Sequence, residues 1–157
     1  SDKPATVEIA HALAALGFEL VATRGTARAI EAAGLKVMPM VGPVSLLLAL
    51  AASGLNGQNF AFVGYLPQDP LQRQARLQQL EQLALKTGQT QLWIETHYRN
   101  AAMLSATLQT LQASTRLCVA SGLTLAKQNV RSQTVARWRE QANGPDGDTP
   151  AVFAIGI

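Results

Sequence analysis

The sequence predicts an α/β fold, a mixed or mostly parallel sheet with helices on both faces. Three observations lead there. Short apolar runs of strand length alternate with helical periods along nearly all of the 157 residues. Cap residues and terminal glycines punctuate the helical segments. The apolar fraction of 48% against 15% charged excludes disorder and supplies enough side chains for a real core.

Taken in order, Ser1 and Asp2 followed by Pro4 form a helix start, and Val7, Ala10, Leu13 and Ala14 keep the helical period up to Gly17. "FELVAT" (18–23) reads as a strand, "GTARAIEAAG" (25–34) as a helix closed by Gly34, and "LKVMPMV" (35–41) as a second strand. Pro39 has no N–H for a ladder, which places that strand at an edge or at its own end. "PVSLLLALAASG" is a helix with Pro43 at its first position and Gly54 past its end, and "NFAFVGYLP" (59–67) is a strand. "DPLQRQARLQQLEQLALKTG" (69–88) is a polar helix with Leu71, Leu77, Leu80 and Leu83 or Ala84 on one stripe. A strand at 89–95, a helix at 99–112 and a strand at 115–121 follow. "NVRSQTVARWREQ" starts as a strand and ends as a short helix, "NGPDGDTP" (143–150) is a loop, and "AVFAIGI" (151–157) is a last buried strand. The first helix has no strand before it, which is unusual for a βαβ layout.

Net charge is +3, but the basic residues are scattered, and the densest stretch, Arg131 to Arg139, holds only three arginines. Nucleic-acid binding does not follow from that. Cys118 is the single cysteine, in the apolar "RLCVA", so an internal disulfide and a cysteine-rich metal site are excluded and an inert buried thiol is expected. No metal ligand set is visible. No apolar run reaches the roughly 18 residues of a membrane span. With no leader pattern at its start, the chain is expected to be cytoplasmic.

"SDKPATVEIAHALAALGFELVATRGTARAIEAAGLKV", residues 1–37, resembles the methylglyoxal-synthase-like domain, in particular the regulatory domain of the carbamoyl phosphate synthetase large subunit. The resemblance implies a phosphate cradle made by Lys3, Thr23, Gly25 and Thr26. Two hydroxyls and a glycine at a helix N-terminus suit an anion, although Thr26 as a plain helix cap explains the same pattern. Methylglyoxal synthase activity is not expected, because "GPVSLLLAL" contains no acid.

From about residue 36 to residue 157, "VMPMVGPVSLLLALAASGLNGQNFAFVGYLP", "TGQTQLWIETHYRNAAML", "TRLCVASGLTL" and "PAVFAI" resemble the C-terminal domain of a tetrapyrrole-methylase-like methyltransferase. Within that family the stretch looks like the S-adenosylmethionine-dependent enzymes related to the ribosomal-RNA ribose 2′-O-methyltransferases. The resemblance implies a cofactor-facing set of Glu95, Thr96, His97, Tyr98 and Arg99, beside Asn100, with Leu123 and Thr124. His97 stands where the family commonly has proline. Arg99 can hold a carboxylate or phosphate, or simply pair with Glu95; Tyr98 can stack on a base or close a core edge; His97 is a base or an exposed loop residue.

The organisation expected is a methylglyoxal-synthase-like fragment over 1–37, a connector helix over 38–58 and a methyltransferase-like domain over 59–157, with the seam between Gly34 and Pro43. Because the partner halves of both families are not in this sequence, the expectation is a recombined, chimeric protein without catalytic activity and with no cofactor. The alternatives are a methyltransferase acting on RNA ribose or a tetrapyrrole that retains S-adenosylmethionine binding, and a phosphate- or nucleotide-binding module. A homodimer is expected through an unpaired sheet edge, with strand exchange as one route. Nucleic acid is a partner only under the methyltransferase alternative.

Overall fold

A computed structural model describes residues 3–22, 24–38, 42–141, 144 and 147–157, and it divides into two compact units, Ser1–Gly42 and Pro43–Ile157. The stretch 38–58, expected as a connector, is shared between them: Met38 lies in the first unit, and the helix beginning at Ser45 lies in the second.

The first unit holds α1 (Lys3–Ala15) and α2 (Arg24–Ala32). Both stop as the glycines predict. Gly17 and Gly34 take φ of 82° and 81°, where an L side chain is strained. Phe18 N–H donates to the Leu13 carbonyl at 3.0 Å and Gly17 N–H to Ala14 at 3.0 Å, a Schellman pair that Leu35 and Gly34 repeat on Ile30 and Glu31. The two expected strands shrink to one parallel bridge, Leu20 to Val37. Ala10, Leu20 and Ile30 form the buried centre, with Ala14, Ala22, Leu35 and Val37 packed around them. Leu13, expected on the inner stripe, is exposed. The cap at Ser1 and Asp2 and the edge position of Pro39 lie outside the described residues.

The second unit is a five-stranded sheet in the order β1-β2-β5-β3-β4, with β1 Phe60–Phe62, β2 Thr90–Glu95, β3 Arg116–Ser121, β4 Asn129–Thr134 and β5 Ala151–Gly156. The sheet is mixed rather than mostly parallel: β1 runs parallel to β2, and the other three pairings are antiparallel. Alternate residues of the central strands serve two cores. Trp93, Leu117, Val119, Phe153 and Ile155 face α4 (Pro70–Thr87), α5 (Asn100–Thr110) and α6 (Val135–Glu140). Leu92, Cys118, Ala120, Val152 and Ala154 face α3 (Ser45–Ser53). Strands buried on both faces read as continuous apolar runs, which is why β2, β3 and β5 were legible.

Asp69 caps α4, its side chain accepting from Gln72 N–H at 2.9 Å, with Pro70 in the first turn and Gly88 left-handed at the far end. Leu77, Leu80 and Ala84 form its buried stripe, but Leu71 is 76% exposed. At about 100° per residue Leu71 sits about 120° around the helix from Leu77, and half-buried Arg73 takes the place on the stripe. Helix α3 starts at Ser45 with Val44 as its N-cap, so Pro43 lies before the helix and not at its first position. Among the described residues no helix is long and apolar enough to cross a membrane.

Candidate functional site

Strands β1, β2 and β3 all point the same way, and β5 runs against them, so the ends of the first three and the start of β5 share one edge. Open α/β sheets bind ligands at such an edge. Here the second unit carries a cleft of about 370 Å³. Its floor is Ile94, Ala120 and Val152, and its rim comes from Ser45, Tyr65, the loop after β3 and Thr149–Pro150. A second cleft, of about 480 Å³, lies under Tyr65–Gln68 and the turn after β2. Tyr65 and Glu95 line both.

Glu95 ends β2 and is buried. One carboxylate oxygen, Oε1, accepts from the Thr96 backbone N–H at 2.8 Å and the Thr96 hydroxyl at 3.3 Å. The other, Oε2, lies 3.1 Å from Nη2 of Arg99, four residues on. That contact is an ion pair whose angles do not make a hydrogen bond, and both atoms are buried. The 3₁₀ turn His97–Arg99 forms with histidine in place of the family's proline, Arg99 N–H donating to the Thr96 carbonyl at 3.0 Å. It leads directly into α5, whose first residue, Asn100, is buried and donates from Nδ2 to the Thr149 carbonyl at 2.8 Å. This bond ties the start of β5 to the turn after β2.

Thr96, Tyr98 and Arg99 line the second cleft. Tyr98 is 73% exposed, so it is not a core edge. His97 is exposed and lines neither cleft; its ring meets Tyr98 edge-on at 5.3 Å. Leu123 lines the first cleft. Thr124 stands beside it with φ of 70°, the only described residue other than glycine in the left-handed region. A β-branched side chain is costly there, and such strain collects at binding loops. The loop is held by Leu125 N–H on the Gly122 carbonyl at 2.9 Å and by Thr124 N–H on Oε1 of Gln128 at 2.9 Å. Gly122, at φ of 58°, has Lys127 carbonyl oxygen 3.1 Å from where a Cβ would be, so a side chain there would crowd the loop.

Sequence reasoning missed Ser45, Tyr65 and Thr149–Val152. Tyr65 follows a strand just as Glu95 does, and that signal was available. Thr149 precedes a strand, and only the antiparallel direction of β5 brings it to the site edge. The front candidates fare differently. Gly25 and Thr26 lie in the first turn of α2, exposed and half-buried respectively. The Lys3 side chain and Thr23 lie outside the described residues, so the phosphate cradle has no geometry to assess.

The arginines of 131–139 are partly committed to packing. Arg131 lies 4.1 Å over the Trp138 ring, and Arg139 donates to the Leu108 and Leu111 carbonyls at the end of α5. Among the described residues no group of three or more His, Cys, Asp or Glu is placed to hold a metal.

Comparison with known proteins gives two likenesses. The family model described as the MGS-like domain matches residues 5–120. The carbamoyl phosphate synthase large chain of Ralstonia nicotianae is 62% identical over 37 residues, 24% of this chain and 3% of that protein. The ribosomal RNA small subunit methyltransferase I of Xylella fastidiosa is 35% identical over 129 residues, 82% of this chain and 45% of that protein. The chain thus spans less than half the length of that methyltransferase. Together the two matches exceed the chain's length, so they overlap; the longer one includes about residue 29 to about residue 129 wherever it starts. Among solved structures, the methyltransferase CobJ superposes with a TM-score of 0.51 at 16% identity, covering 83% of this chain and 58% of that one. Uroporphyrin-III-C-methyltransferase from Thermus thermophilus gives 0.50 at 20% identity, covering 84% and 56%. At those identities the structures establish the fold alone. Both likenesses read from the sequence recur in these matches, to the MGS-like domain and carbamoyl phosphate synthase on one side and to a methyltransferase on the other.

Proposed function

The chain belongs to the MGS-like domain family, by a match that spans both units, and we propose that its second unit is the cofactor- and acceptor-facing half of a methyltransferase whose acceptor is an RNA hydroxyl. The observation that carries this reading is the pair of adjoining clefts at one sheet edge, sharing Tyr65 and Glu95. Similarity to a ribosomal RNA methyltransferase over a stretch that includes Ser45, Tyr65, Glu95 and Leu123 supports it. The reading displaces the inactive recombinant expected from the sequence, since the methyltransferase likeness runs through the expected seam rather than starting after it.

The first cleft suits S-adenosylmethionine. Leu123, Leu125 and Val152 offer apolar faces for adenine, while Ser45 and Thr149 bring hydroxyls for a ribose. When bound, the cofactor supplies a methyl group activated on a sulfonium. The chain's own contribution is to present an acceptor beside it and to exclude water. Tyr98, exposed on the second cleft, gives a base a flat surface to stack on.

Calorimetric titration with S-adenosylhomocysteine tests the cofactor half. Saturable binding is expected, weakened about tenfold or more by Leu125→Asp, which places a charge on an exposed position of the cleft wall. Absence of saturable binding would remove the reading.

A further inference from the structure

Resting on that reading, we propose that Glu95 and Arg99 form a hydroxyl-binding pair in the second cleft, the acceptor hydroxyl donating to Oε2 of Glu95 and accepting from Nη2 of Arg99. Three features carry this. Both atoms are buried and neither has an aligned hydrogen-bond partner among the described residues, although they lie 3.1 Å apart. A charged group buried with an unmade hydrogen bond is costly, so the pair is chemically unfinished as it stands. Both residues line the same cleft, with the exposed ring of Tyr98 beside them.

The chemistry of the gap selects its occupant. Oε2 and Nη2 are paired as ions, but one is an acceptor and the other a donor without an aligned hydrogen bond, so the group that completes both must accept and donate through one atom. A hydroxyl does both. A phosphate or carboxylate would satisfy Arg99 but face the Glu95 carboxylate with like charge. An ammonium would satisfy Glu95 and repel Arg99, and a carbon acceptor would satisfy neither. Thr96 holds the other carboxylate oxygen with two donors, so Oε2 stays on the side of Arg99. The pair therefore distinguishes ribose from deoxyribose when Tyr98 stacks the attached base.

The test is the binding of a single-stranded oligoribonucleotide and its deoxy counterpart to the whole chain, read by fluorescence anisotropy. The ribo form is expected to bind about tenfold tighter, as hydrogen bonds to charged groups allow. Glu95→Gln and Arg99→Gln should each erase most of that preference, while Tyr98→Ala should weaken both oligonucleotides alike, also about tenfold. Melting curves establish that each variant folds; Arg99, part-exposed, carries the test should buried Glu95→Gln fail to fold. A ribo preference that survives in Arg99→Gln, or no preference in the wild type, overturns the pair and leaves S-adenosylhomocysteine binding to decide the methyltransferase reading on its own. No binding of either oligonucleotide overturns the pair together with the RNA acceptor.

Discussion

In the first unit both helices end on left-handed glycines, Gly17 and Gly34, just as α3 and α4 of the second unit end on Gly54 and Gly88. The local signals are equally strong in the two units, yet their cores differ. The first buries Ala10, Leu20 and Ile30 around a single bridge and leaves Phe18 61% exposed, with Ile9, Leu16 and Val21 also out. The second buries two apolar layers on a five-stranded sheet, with Trp93 and Phe153 stacked 5.6 Å apart. Helix caps act within one turn and work at any size. Burial grows with the number of elements that share a face, and a unit of about forty residues has few.

The comparison breaks most directly at the two centres. Trp93→Ala should cost about 3–5 kcal/mol, because two buried rings and the α4–α5 layer cannot close the gap. Ile30→Ala should cost about 2 kcal/mol, the low end for such a change, in a core small enough to collapse around it. Denaturant unfolding followed by circular dichroism reads both; equal costs would mean that the units are equally well packed.

Alkaline titration probes the second unit through Cys118. Burial pushes the Cys118 thiol up to about 11 from 9.0, against the opposing influences of Arg116 and a hydrogen bond with Ser132. Above pH 9 the unfolded thiol loses its proton while the folded one keeps it, so the unfolded state binds fewer protons and stability falls as pH rises. Between pH 9 and about 11 the loss should reach up to about 3 kcal/mol, and Cys118→Ala should flatten that part of the profile.

Gly34→Ala and Gly88→Ala should each cost about 1 kcal/mol, since neither site has an atom within 4 Å of the new Cβ and only the positive φ opposes it. Equal melting shifts, referred to each unit's own transition, would show that the caps are local; a larger loss at Gly34 would mean that the first unit depends on its caps. Leu71→Ser should change stability by no more than about 0.5 kcal/mol, as its exposure indicates. A larger loss would restore Leu71 to the stripe that the sequence drew.

Much of the second unit was legible. Helix α4 is bounded by Asp69, Pro70 and Gly88, and β2, β3 and β5 each carry an apolar run at their centre. The turn after β2 is a candidate because the family resemblance points there and a strand end before a helix is a recurrent ligand position; in the structure Glu95, Thr96, Tyr98, Arg99 and Leu123 lie along the two clefts. Thr124 was named without any sign of its backbone strain, and His97 was grouped with residues it does not join.

By itself the sequence determined what depends on neighbours within a turn or two: helix ends, apolar runs, the class of the fold and the inert setting of Cys118. Tertiary structure decided the rest, because it depends on strand direction and long-range pairing. The antiparallel entry of β5 brought Thr149 and Pro150 to the site, and the tether from Asn100 to Thr149 fixed them there. The unfinished pairing of Glu95 with Arg99 was likewise beyond the sequence, since a spacing of four residues says that two charges are near and not whether their hydrogen bonds are complete.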